Sequence, residues 1–132
     1  MSLTELRGDI VILTCAISAG VHGALVRDHF EEGTRAGLGF AVATVLLAGL
    51  VVTLTRRPSQ AAPAAAAVLG GLIASYAFAV TTGLPLLHAE PEAVDGLALV
   101  TKAIEAAGLV TATSLLRRPS LLPLPNPKGT MT

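Results

Sequence analysis

Three histidines and the carboxylates around them are the side chains here best equipped for chemistry. His22 and His29 stand seven residues apart, a spacing that returns to nearly the same helix face ~10 Å further along the axis. His29-Phe30-Glu31 is echoed by His88-Ala89-Glu90, and Glu32 and Glu92 stand close by. Imidazole and carboxylate donors together suit zinc, iron, manganese or oxidised copper, and the lack of Met or Cys beside them disfavours reduced copper. The residue types therefore point to a divalent transition metal or another cation, held by His22, His29, His88, Glu32 and Glu90. A straight helix keeps His22 and His29 too far apart to share one ion, so His29 with His88 is the better core pair. The plainer alternative is an interhelical hydrogen bond for His22 and solvated loop positions for the others. Glu92 and Asp95 would then sit in the first turns of a helix, where the dipole favours anions.

A second constellation lies in an otherwise apolar run. Lys102 and Glu105 are three residues apart, close enough to pair across one helical turn. Both are costly in hydrocarbon unless they face protein. They form either a neutral structural pair or part of a polar, proton-coupled pathway, with His22 in reach and Tyr76, Thr81, Thr82 and Thr101 available to line it. No nucleophile and base stand at a recognisable catalytic spacing, so enzyme chemistry is not indicated. Cys15 is the single cysteine, which excludes an intrachain disulfide and a thiolate metal cluster.

The elements that must position these groups are apolar spans. Ile10 to Val26, Ala36 to Thr55, Ala61 to Leu87 and Val94 to Leu116 each come near the ~20 residues a helix needs to cross ~30 Å of hydrocarbon. Hydrophobic residues make up 52% of the chain and charged ones 14%, and the charges gather between spans instead of alternating through them. The expected fold is all-α: a four-transmembrane-helix bundle over residues 1–120, followed by a Pro-rich cytoplasmic tail over 121–132. Nine basic residues balance nine acidic ones, which offers nucleic acid no electrostatic footprint. The expected partners are the lipid bilayer and a second copy of the chain or another membrane protein. Seven arginines against Lys102 and Lys128, with abundant Ala, Gly and Pro, point to GC-rich coding and a bacterial source.

Orientation follows from the loops. Arg7, Arg56, Arg57, Arg117, Arg118 and Lys128 face only Glu5 and Asp9 on one side, a balance of plus four. Arg27 and Arg35 face Asp28, Glu31, Glu32, Glu90, Glu92 and Asp95 on the other, a balance of minus four. Basic segments stay cytoplasmic, which puts both termini in the cytoplasm of a multi-pass cell-membrane protein. The leader Met1 to Asp9 lacks a basic region, so the first span is expected to be retained.

Local signals refine the helix ends. Ser2 and Glu5 form a capping box that starts helix one ahead of the membrane, and the helix should run through His29 to end near Gly33. Thr34 is a candidate cap for helix two, Pro58 and Pro119 stop helices two and four, and Pro91 suits the first turn of helix four. Ala16, Ala19, Gly20 and Gly23 on helix one, Gly70, Gly71, Ala74 and Ser75 on helix three, and Ala103, Ala106, Ala107 and Gly108 on helix four permit close backbone approach. The paired motifs His29-Phe30-Glu31 … Arg56-Arg57-Pro58-Ser59 and His88-Ala89-Glu90 … Arg117-Arg118-Pro119-Ser120 suggest two repeated hairpins about an axis along the membrane normal. Chance in an Arg- and Pro-rich chain is the competing explanation.

Overall fold

The computed structural model describes residues 1–84 and 91–117. These form α1 (Leu3–Glu32), α2 (Thr34–Arg56), α3 (Pro58–Thr81) and α4 (Gly96–Leu116). All four are long and apolar enough to cross a membrane, and together they make a small multi-pass helical bundle.

α1 opens on the expected capping box. Ser2 Oγ accepts from the Glu5 amide at 3.2 Å, and the Ser2 amide donates to Glu5 Oε2 at 2.6 Å. Two of the four unpaired amides of the first turn are thus satisfied locally. At 30 residues, or ~45 Å, α1 is longer than the hydrocarbon is thick, so its ends project beyond it. A single residue, Gly33, joins α1 to α2, and its amide donates to the His29 carbonyl. Thr34 is not the cap the sequence suggested: Gly33 occupies that position without a side-chain bond, and Thr34 is already helical. With one linking residue, no place outside the helix remains for the threonine. Arg57 alone joins α2 to α3, which begins with Pro58, where a missing amide costs nothing.

The third span stops earlier than its hydropathy implied. Thr82 caps α3 and Gly83 takes φ 72°, a left-handed turn that glycine enters without the Cβ penalty. The fourth helix also starts later. Asp95 Oδ1 accepts from the Ala98 amide at 2.8 Å, making Asp95 the N-cap and Gly96 the first helical residue. Pro91 and Glu92 therefore lie outside the helix, not in its first turn, and the Glu92 amide is tied to the Ala79 carbonyl at 2.9 Å.

The bundle packs unevenly along its length. In the half nearest the N-terminus and the Arg57 turn, Val11, Cys15, Leu47, Leu50, Leu54, Ala61, Ala65, Leu69 and Ala112 form one continuous core. α4 meets α1 there so closely that a Cβ at Gly108 would stand 2.4 Å from Thr14 Cγ2. The small residues are not all used this way, since Gly20 and Gly71 face open space. Leu13, Val45, Phe78 and Val110 are largely exposed, whereas Thr14, Ser18, His22, Thr101 and Glu105 are buried. Apolar outside and polar inside is the arrangement lipid requires.

Candidate functional site

The polar interior begins on α1. Thr14, Ser18 and His22 recur every four residues along one side of α1, and Thr14 and Ser18 meet Gly108 and Glu105 of α4. Ser18 Oγ donates to Glu105 Oε1 at 2.5 Å, and Lys102 Nζ donates to Glu105 Oε2 at 2.6 Å. The Glu105 side chain is fully buried and that of Lys102 nearly so, at 16% exposure. Both carboxylate oxygens are thus engaged by donors, one charged and one neutral, which is the condition for holding an ionised group away from water. The expected pair forms, and its second partner, Ser18, is a contributor that pairing rules within helix four did not bring out.

His22 Nδ1 lies 2.9 Å from the Ser18 carbonyl and 3.3 Å from Ser18 Oγ. Its bond is therefore to its own helix, not the interhelical one anticipated. His29 repeats the geometry, with Nδ1 at 2.9 Å from the Leu25 carbonyl. A carbonyl can only accept, so Nδ1 is the donor in both rings. Phe40 of α2 touches both rings, stacked on His29 at a centroid distance of 3.6 Å and tilted against His22 at 5.2 Å.

Above the pair, toward Leu84 and Asp95, the helices line a cavity of about 360 Å³. His22, His29, Phe40, Tyr76, Thr101 and Lys102 are among its lining residues, with aliphatic side chains between them and Glu92 and Asp95 also on its wall. Lys102 Nζ sits 5.7 Å from the centre of the Tyr76 ring, within cation–π range. The Tyr76 hydroxyl is buried and has no hydrogen-bond partner among the described residues. Thr81 and Thr82, offered as lining groups, instead return their hydroxyls to carbonyls of their own helix.

The candidate metal ligands are only partly brought together. His29 Nε2 stands 3.9 Å from Glu32 Oε2, whose side chain is half exposed. His88 and Glu90 lie outside the described residues, and among the described residues no three His, Cys, Asp or Glu side chains gather into a metal-sized cluster. Arg27 pairs with Glu31 at 3.3 Å on the exposed surface, offsetting a carboxylate at the unfavourable end of α1. No family model matches this chain, and no curated protein or solved structure matches it either.

Proposed function

We propose that this membrane protein is a ligand-binding cup or one-sided carrier that takes a small molecule into the cavity and seats it above the Lys102–Glu105–Ser18 network. The observation carrying this reading is that Lys102, paired with the fully buried Glu105, stands at the floor of a cavity that Tyr76, His22, His29 and Thr101 also line. Mostly apolar walls with a few placed polar groups are the usual make-up of a small-molecule site, and the volume lies in the usual range. The tightly packed half below the pair argues for a blind cup over a continuous channel. The loop charges support placing its mouth outside the cell.

Native mass spectrometry of protein released gently from its own membranes tests the proposal. The wild-type chain should carry one bound small molecule, absent from the cavity-filling variants Ala79→Phe and Ala98→Phe at unchanged helicity. No adduct on the wild-type chain, or an equal adduct on all three, would refute it.

A second reading is a cation held by His29 with His88, since the unbroken α1 keeps His22 and His29 from sharing one ion. It is favoured by the His29 Nδ1 bond to the Leu25 carbonyl, because metal-ligating histidines usually anchor the other ring nitrogen in this way. Elemental analysis should then find a stoichiometric metal that is lost in His29→Ala; protein free of metal when purified without chelator removes this reading.

A further inference from the structure

The charges around the cavity do not balance. Glu92, Asp95 and Lys102 line it, and Glu105 is buried behind Lys102. Lys102 is cancelled by Glu105 at 2.6 Å, which leaves Glu92 and Asp95 in no ion pair among the described residues. Arg27 is taken by Glu31, and Arg35 is not a lining group. Asp95 commits one oxygen to the cap of α4, a bond that leaves its charge in place.

The unbalanced charge also has a position. Asp95 precedes Lys102 by seven residues, ~10 Å along the helix axis, so the uncompensated carboxylates stand at the end of the cavity away from the Lys102 floor. Between floor and carboxylates the wall is aliphatic and aromatic, with Phe40 and Tyr76 among its groups. A bound molecule thus meets apolar contacts along its body and negative charge at its outer end. Charge complementarity favours capture of a cation there and opposes an anion. A bare metal ion lacks a ligand set, since among the described residues no three His, Cys, Asp or Glu side chains gather. An organic cation needs only the charge and the apolar wall. Resting on the cavity reading above, we propose that the ligand is a monovalent organic ammonium ion, its apolar body in the cavity and its charge beside Glu92 and Asp95.

Tyr76 makes the test direct, because it is the only tyrosine and isotope-labelled tyrosine therefore gives a single ring signal in NMR, from the cavity wall. The full chain in a nonionic detergent is titrated with benzyltrimethylammonium, whose charge is independent of pH, and with phenylmethanesulfonate and neopentylbenzene, of similar shape but negative and neutral. The ammonium ion should move the Tyr76 signal saturably, bind at least about tenfold more tightly than the sulfonate, a gap of ~1.4 kcal/mol, and weaken as salt is raised. Glu92→Gln/Asp95→Asn should weaken the ammonium ion by about the same factor and leave neopentylbenzene unchanged. Asparagine caps a helix about as well as aspartate, so this variant keeps the start of α4. Ala98→Phe, which fills the cavity, should abolish the shift.

Equal affinity of the ammonium ion and the sulfonate, an ammonium affinity unchanged in Glu92→Gln/Asp95→Asn, or a shift that survives in Ala98→Phe would overturn the assignment. If the ammonium ion leaves the Tyr76 signal unmoved while the native chain still carries its cavity-bound mass, the cation assignment falls and the cavity reading stands. Absence of that mass as well would take both down.

Discussion

Glu105 is the residue on which the interior depends most. Its carboxylate holds Lys102 and Ser18 in place, so removing it strands an ammonium among buried groups. Glu105→Ala should cost about 3–5 kcal/mol, the range for breaking a buried pair from one side, and Lys102→Met should cost a comparable amount. The double variant Lys102→Met/Glu105→Leu leaves no uncompensated charge and should recover most of that loss. Ser18→Ala removes one hydrogen bond to a charged group and should cost about 1.5–3 kcal/mol. Unfolding followed by helicity in mixed micelles of rising SDS fraction reads all four; a double variant no more stable than the single ones would contradict the neutral-pair account. The spacing of Lys102 and Glu105 made this pair legible in the sequence. Ser18 was not, because serine is common in membrane helices, although the four-residue recurrence of Thr14, Ser18 and His22 in an apolar helix was a signal within reach. The Tyr76 hydroxyl, without a partner among the described residues, and the His22–Phe40–His29 contacts depend on how separate helices meet, which no single-helix pattern encodes.

At the scale of elements, close approach is decided by what a neighbour can do when crowded. A Cβ at Gly108 would meet Thr14 on the packed face of α1 at 2.4 Å, and Thr14 is buried. A Cβ at Gly37 would come as near to the Phe30 ring, at 2.3 Å, but Phe30 is 40% exposed and has room to swing away. Gly108→Ala should therefore destabilise by about 1–3 kcal/mol, Gly37→Ala by clearly less, and Thr14→Gly should rescue the former alone. The same unfolding assay checks the ranking, and equal losses would contradict the packing described here. Helix number and type were plain from hydropathy, since four apolar runs of spanning length have few other fates. Helix ends were less so: Pro91 and Glu92 suit a first turn as well as they suit a connecting segment, and the choice is made by the Asp95 cap and the Glu92 amide bond to Ala79.

Among the described residues the bundle is tightly packed at one end and holds a cavity toward the other. Its loop charges differ in sign between the ends, and the basic end carries the termini, so a reporter fused after Thr132 should function only in the cytoplasm and one inserted at Ala89 only outside. The opposite pattern would invert the assignment of the cavity mouth. The cup itself is tested most directly by thiol accessibility, since Cys15 is native, fully buried in the packed half, and serves as the internal control. In sealed right-side-out vesicles, Ala98→Cys on the cavity wall should react with a small charged methanethiosulfonate added outside. Ala65→Cys in the core of a Cys15→Ser chain, and Cys15 in the native chain, should stay unreactive from either side. An unreactive Ala98→Cys, or modification of the Ala65 or Cys15 position by the charged reagent, would contradict a one-ended cavity floored by Lys102 and Glu105.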